Sequence, residues 1–499
     1  MKQPIQWFEE LTAIPRASGE EERVCDYLEA FAKERNLAFR RDKWNNAVIK
    51  KPASPGSTGD TLMLQAHLDI VPVKDEGVEH DFSRDPVKLI KEGDIWRADG
   101  TTLGADNGLG IAMILALLDD DSAVHPDLEC VFTAEEETGM FGALALDASR
   151  LSGKYFINMD SEEDGIFCAS CAGGLTVKVR LPLQRIASAS LPGAAEREYI
   201  AVTVGGLKGG HSGVEIDKQR GNANRLLGRV LGDLAKRFAV FAADVCGGHA
   251  DNAIPVSASA TLSVRREDKA ALTARLEELT ATFRNELKSS DGAPDAEGRS
   301  FSVLAAAAPV PASETVFSEA AFKQVLLGLN LLPNGVAAMA LDMPGLVETS
   351  SNLGVVVTRG EHMLFTVSVR SSLASRLEAL VDQIDLLAGS MGAVMEAGAG
   401  YPAWEYRRTS PLRQIFQTAY ARVYPGKEAK VEGIHAGLEC GVFDSKFRAL
   451  GRDVDLISIG PDVRGAHTPE ESIDIGSAAR TWELLKEALK IIATEGRGK

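Results

Sequence analysis

His67 and Asp69 stand two residues apart in Leu64-Gln65-Ala66-His67-Leu68-Asp69, pairing an imidazole with a carboxylate. A carboxylate behind a metal-ligating imidazole fixes its tautomer and raises its basicity. Three acidic positions follow: Asp106 in Leu103-Gly104-Ala105-Asp106-Asn107-Gly108, the triplet Glu135-Glu136-Glu137 before Thr138-Gly139, and Asp160 in Phe156-Ile157-Asn158-Met159-Asp160. Each follows or interrupts a short apolar run, and a strand would carry such a residue to its own end. A histidine and several carboxylates gathered along one sheet edge make a site for a hard or borderline divalent cation. Adjacent glutamates extend that chemistry, because one can hold a metal while its neighbour takes a proton from water, as amide hydrolysis requires.

Each group also has a plainer reading. Asp106 suits the N-cap of a helix over 108–119. The glutamate triplet suits a solvated helix start. Asp160, followed by Ser161-Glu162-Glu163-Asp164, suits an acidic surface loop. Gly104, Gly108 and Gly110 lack both the Lys-Ser/Thr of a phosphate loop and dinucleotide spacing. Cys168-Ala169-Ser170-Cys171 lacks the second pair of a four-sulfur zinc site and reads as ordinary thiols.

The elements that must position these groups alternate. Helices are expected at 5–12 and after Ser18, where Ser18 and Glu21 have the spacing of a capping box. Strands are expected at 37–41, 46–50, 61–66, 128–133 and 154–159. Helices fit 108–119, where Leu109, Ala112, Met113, Ala116 and Leu117 form one stripe, and 140–150. This is the pattern of a mostly parallel sheet with helices on both faces, which binds ligands at its C-terminal strand ends. Near 185 the pattern changes. Residues 186–195 are small and contain Pro192 and Gly193, like a boundary. Strands at 198–204, 256–264, 354–358 and 363–370 and helices near 220–238, 267–287 and 315–327 then suggest an α+β insertion, with 292–312 a flexible connection. A second change near 385–400 precedes helices at 410–423 and 476–493 around a strand at 454–459. The expected division is 1–188 and 391–499 for an interrupted α/β domain, and 189–390 for the inserted lid.

The 499 residues are too many for one core. A net charge of −17 disfavours nucleic acid and anionic membrane surfaces as partners. No apolar run suits a signal peptide or a membrane helix, and six cysteines in so long a chain make no disulfide framework, so cytoplasmic residence is expected.

Longer stretches carry a resemblance. They are Ile14-Pro15-Arg16-Ala17-Ser18-Gly19, Gln65-Ala66-His67-Leu68-Asp69, the run from Asp99 to Gly108, Glu136-Glu137-Thr138-Gly139-Met140, Gly209-Gly210-His211-Ser212-Gly213, Asn252-Ala253-Ile254-Pro255, the run from Ile434 to Gly441, and His467-Thr468-Pro469-Glu470-Glu471. Together they resemble the aminoacyl-histidine dipeptidases, a branch of the co-catalytic di-zinc metallopeptidases that includes carnosine-type dipeptidases.

The resemblance implies two divalent ions, Zn2+ above all, with Co2+ or Mn2+ as substitutes. His67 and Asp160 would hold one ion, Glu137 and His467 the other, and Asp106 would bridge. Glu136 would be the general base, since the family pattern places Gly139 two residues after the ligand glutamate, and Asp69 would orient His67. His211 would stabilise the oxyanion, and Asn252 and Arg370 would hold the substrate backbone and its C-terminal carboxylate. The peptide after Asp106 would be cis. The function implied is hydrolysis of unblocked dipeptides, Xaa-His included. A homodimer is compatible with it, and His211 would then serve its own site or a partner's. His435 and Glu439 receive no role. An N-acyl-amino-acid amidohydrolase with the same centre and a non-catalytic metal- or peptide-binding relative are the alternatives.

Overall fold

The computed structural model describes residues 2–294 and 298–495. The chain divides into two units: Met1–Cys171 with Tyr401–Lys499, and Ala172–Gly400.

The first unit is built on eight strands: β1 (Ala38–Arg41), β2 (Ala47–Lys51), β3 (Leu62–His67), β4 (Leu128–Thr133), β5 (Tyr155–Asn158), β6 (Ile166–Cys171), β7 (Lys430–Ile434) and β8 (Asp455–Ser458). Their order across the sheet is β1-β2-β4-β3-β5-β8-β6-β7. The pairs β3/β4, β3/β5, β5/β8 and β6/β7 are parallel, and the other three are antiparallel. Successive side chains on a strand face opposite ways. Leu62, Leu64 and Ala66 therefore join Ile157, Phe132 and the helices Ala105–Asp119 and Ile475–Glu495 in one core. Met63, Val131 and Phe156 join Phe443 and Phe447 of the helix Glu439–Ala449 in another. Both faces of the sheet are thus covered, which explains why β3, β4 and β5 are buried at every position.

The second unit carries a nine-stranded sheet. Its main path runs Ser302–Ala307, Arg197–Gly205, Ala258–Arg265, Phe241–Gly247, Val347–Arg359, His362–Ser371, Gly173–Pro182 and Val394–Tyr401, with Gly335–Met339 paired beside it. The helices Ala223–Arg237, Lys269–Glu286 and Glu319–Leu331 supply residues to its core.

Several expectations need correction. The unit boundaries lie at 171/172 and 400/401, not at 188/189 and 390/391. The strand Gly173–Pro182 pairs with His362–Ser371 over ten register positions, so it belongs to the inserted unit. The small-residue stretch taken for a boundary lies within that unit, where Arg185–Ala187 pairs with Thr315–Phe317. The supposed connection 292–312 contains the strand Ser302–Ala307, while its residues 295–297 lie outside the described residues. Ser18 caps no helix. The helix begins at Glu22, and the Ser18 hydroxyl is used elsewhere. Among the described residues, no helix is long and apolar enough to cross a membrane. All six cysteines are free thiols.

Phe156 is fully buried between Phe443, at 4.7 Å between ring centroids, and Phe447, at 6.0 Å. Phe156→Ala is expected to cost this unit about 3–5 kcal/mol, read from urea unfolding. A loss below about 1 kcal/mol would mean that this core collapses around the deletion.

Candidate functional site

Strand β3 ends on His67, and the chain turns at Leu68, whose N–H donates to the Thr133 carbonyl at the end of β4. Asp160 lies two residues beyond β5, and the glutamates lie just beyond β4. Asp106 precedes the regular part of its helix, with φ −80° and ψ 108°. The Asp106–Asn107 peptide is cis, as the resemblance implies. His467 is delivered by the loop after β8, with φ 65°.

These residues meet. The two oxygens of Asp106 go to two different imidazoles: Oδ1 lies 2.9 Å from His67 Nε2, and Oδ2 lies 3.1 Å from His467 Nε2. His67 Nε2 is also 3.2 Å from Asp160 Oδ1, and His467 Nε2 is 3.0 Å from Glu137 Oε2. The result is two groups, His67 with Asp160 and His467 with Glu137, that share Asp106. Asp106 is therefore no N-cap, because its carboxylate is engaged with the histidines. His67 is 1% exposed, whereas His467 is half-exposed and forms the open side.

Asp69 organises the turn around this cluster. It is fully buried. Its Oδ1 accepts the Glu136 N–H at 3.0 Å, and its Oδ2 accepts the Glu137 N–H at 3.1 Å and the Ser18 hydroxyl at 2.8 Å. His67 Nδ1 faces the Asp69 carbonyl at 3.1 Å and its Oδ1 at 3.4 Å. That leaves Nε2 of His67 free to act as a ligand. Glu21, the other half of the supposed capping box, accepts the N–H groups of Gly19 and Glu135 instead. Glu135 has φ 52° and turns the chain so that Glu136 and Glu137 follow.

The electrostatics follow from crowding. Burial pushes the Asp160 carboxyl up to about 7, although His67 opposes it. Burial likewise raises Glu136 well above the usual carboxylate range, with Asp160, Glu439 and Glu137 adding to the effect against His67. For Asp106, burial is outweighed by the hydrogen bonds from His467 and His67, which hold it far below its ordinary value. The hydrogen bonds to Asp106 and Glu137 raise His467 to about 11.

The cluster therefore demands positive charge, which a proton on each imidazole meets only in part. The ligand atoms of His67, Asp106 and Glu137 lie within 4.8 Å of one another. Glu137 Oε1 is buried without a hydrogen-bond partner, and the buried Asp160 Oδ1 faces His67 Nε2 at 3.2 Å without a well-directed hydrogen bond. Imidazole nitrogens and carboxylate oxygens in this arrangement fit divalent cations.

In the inserted unit, His211 Nδ1 accepts the N–H groups of Gly213 and Val214, both at 3.2 Å. Its proton is therefore on Nε2. Burial, and then the charge of Arg370, hold its pKa below the ordinary value. The Ser212 N–H donates to the Asn252 carbonyl at 2.8 Å, which ties the His211 and Asn252 loops together. Arg370 lies on the strand His362–Ser371 and is buried.

Sequence reasoning left several residues unassigned. Glu439 Oε2 accepts from Thr133 Oγ1 at 2.7 Å and from Gln65 Nε2. Burial pushes this carboxyl up to about 8. Arg16 and Glu471, both 2% exposed, brace the loop before Asp106. Among the remaining histidines, His125 is buried with Nδ1 2.8 Å from the Pro126 carbonyl, and His80 stacks edge-on with Phe82.

Residues 63–491 match the family described as peptidase family M20/M25/M40. The chain belongs to that family. It is 37% identical over 486 residues to the cytosol non-specific dipeptidase of Escherichia coli (strain K12), covering 97% of this chain and 96% of that relative. The crystal structure of aminoacylhistidine dipeptidase from Vibrio alginolyticus superposes with a TM-score of 0.85 at 34% identity, covering 98% of this chain and 96% of that one. The aminopeptidase PepT structure from Bacillus cereus, 15% identical with a TM-score of 0.55 and 98% coverage of both chains, shares the fold.

Asp69→Asn keeps the shape of that side chain but sets an amide NH2 against a backbone N–H. It is expected to lower affinity for a divalent cation roughly 10–100-fold, as loss of a supporting carboxylate does, in a competition titration. Unchanged affinity would mean that Asp69 does not organise the ligands.

Proposed function

We propose that this chain is a cytoplasmic, divalent-metal-dependent dipeptidase that cleaves unblocked dipeptides, Xaa-His among them. The observation that carries the reading is the division of the Asp106 oxygens between a His67/Asp160 group and a His467/Glu137 group. In this reading His67 and Asp160 would hold one ion, Glu137 and His467 would hold the other, and Asp106 would be shared by both. The names of the Escherichia coli and Vibrio alginolyticus relatives support the substrate class, and the former supports a cytosolic location. The net charge of −17 disfavours nucleic acid as a partner.

Two divalent ions, Zn2+ or in its place Co2+ or Mn2+, supply a lowered water pKa and a polarised scissile carbonyl when bound. Glu136 takes the proton of the attacking water and returns it to the leaving amine. Its carboxyl is buried beside other acids, which raises its proton affinity toward that task. Asp69 holds the peptide N–H groups of both Glu136 and Glu137, so base and ligand are set by one support. His211, neutral and protonated on Nε2, donates to the oxyanion. Asn252 holds the substrate backbone, and Arg370 takes the C-terminal carboxylate in a two-pronged contact.

Chelation should abolish hydrolysis of free dipeptides, and added Zn2+, Co2+ or Mn2+ should restore it. Full activity in the chelated protein would end the metal-dependent reading. Cleavage of N-acylated dipeptides in preference to free ones would instead make the protein an amidohydrolase with this centre. Glu136→Gln should retain its metal and lower kcat roughly 10^2–10^4-fold. Wild-type turnover in that variant would remove Glu136 as the base.

A further inference from the structure

Two buried groups outside the ligand set meet behind Asp106. Arg16 donates through Nη1 to the Leu68 carbonyl at 2.8 Å, with the Asp69 carbonyl at 3.4 Å, and through Nη2 to the Gly104 carbonyl. The Glu471 carboxylate accepts four consecutive backbone N–H groups. Oε2 takes Leu103 at 2.7 Å and Gly104 at 2.9 Å, and Oε1 takes Ala105 at 2.7 Å and Asp106 at 3.2 Å.

Gly104 is held from both sides, at φ +71°. A Cβ there would lie 2.9 Å from Arg16 Nη2, and one at Gly108 would lie 2.5 Å from the same atom. Both glycines leave room for the guanidinium. Glu471 also follows His467 by only four residues, across a turn closed by the Thr468 N–H on the Gly465 carbonyl at 3.2 Å and the Glu471 N–H on the Thr468 carbonyl at 3.1 Å. One carboxylate therefore joins the segment that carries His467 to the segment that carries Asp106. Arg16 joins the latter to the end of β3, which carries His67.

We propose that Glu471 is a positioning residue, which sets the separation of Asp106 from His467 before any ion binds and so controls the affinity of the ion those two share. The inference rests on the two-ion reading above. A carboxylate suits this post because four N–H donors converge on two acceptor oxygens in charge-assisted bonds. It also sits at the N-terminal end of the helix Ala105–Asp119, where negative charge is favoured. A glutamine of the same shape would turn one oxygen into a donor facing two donors.

Zn2+ binding to the intact wild-type protein, measured by competition with a chromogenic chelator, comes first. Two binding events are expected, and one or none would defeat the two-ion reading whatever Glu471 does. With two events present, Glu471→Gln should weaken one of them roughly 10–100-fold and leave the other within about threefold, the range seen when a group supporting a ligand is lost. Activity of the variant should recover through kcat as Zn2+ is added, with KM unchanged.

Two unaltered affinities would overturn the proposal. So would an equal fall in both accompanied by a lower melting temperature of the metal-free protein, the mark of a general brace. A second measurement needs no variant. In chelator-stripped wild-type protein the amides of Leu103, Gly104, Ala105 and Asp106 should stay protected from hydrogen exchange, and exchange at the rate of a solvated loop would show that the clasp is not formed in advance.

Discussion

Carboxylates crowded out of water repel one another and lose their hydration, so each needs a compensating group or must take up a proton. Around this centre the compensation is shared unevenly. Asp69 is met by two backbone N–H groups, a hydroxyl and an imidazole. Glu471 is met by four backbone N–H groups. Asp106 is met by two imidazoles. Glu137 Oε1 is left over, and Asp160 Oδ1 shares with Asp106 the one His67 nitrogen. The fold thus neutralises Asp69 and Glu471 with its own donors and leaves the deficit around Glu137 and Asp160, where a divalent cation would remove it.

The strand period places a second polar row directly beneath the ligands. Gln65 lies two residues before His67 on one strand, and Asn158 ends its strand two residues before Asp160, so each lies beneath one of these two residues. Ser161 and Ser458 hydroxyls meet at 2.8 Å, Ser458 donates to Asn158 at 2.5 Å, and Asn158 donates to Gln65 at 2.7 Å. Gln65 then donates to Thr133 Oγ1 at 3.1 Å and to Glu439. A buried polar atom without a partner costs about 1–3 kcal/mol, so such a row is stable only when its members satisfy one another. Connected in this way, it fixes the relative heights of β3, β4, β5 and β8, and with them the positions of His67, the glutamates and Asp160 at or just beyond their ends.

Much of this was legible in the sequence. Apolar spacing reveals most helices and strands of the first unit, and strand ends point to His67, the glutamates and Asp160. Asp106 was ambiguous because its deciding partner, His467, is 361 residues away, while an aspartate before a helix looks the same whether it caps or bridges. Ser18 and Glu21 have the spacing of a capping box, yet tertiary hydrogen bonds to Asp69 and Glu135 outcompete the local ones. Arg16 and Glu471 fall inside stretches that carry the resemblance, yet nothing local marks their burial, since charged residues are ordinarily solvated and only the folded chain buries these two. The Pro/Gly-containing stretch at 186–195 looked like a boundary because loop composition is the same at the edge of a unit and within one. The alternation in Gly173–Pro182, buried and exposed by turns from Val177, would have corrected that reading.

The point of insertion also has a physical logic. The first unit is left at Cys171 and re-entered at Tyr401. Its two chain ends are joined by a reciprocal pair of backbone bonds, Cys171 N–H to the Trp404 carbonyl at 3.0 Å and Trp404 N–H to the Cys171 carbonyl at 3.1 Å, and the Ser170 hydroxyl adds a third bond, to the Trp404 carbonyl, at 3.0 Å. Trp404 is 2% exposed and packs in the core with Cys171 and Phe443. Closure of the α/β unit is thus achieved by its own residues. His67, Asp106, Glu136, Glu137, Asp160 and His467 all lie in that unit, together with Asp69, Arg16 and Glu471 that hold them. The inserted chain can therefore be long, with its own sheet and its own core, without its length entering the geometry of this cluster.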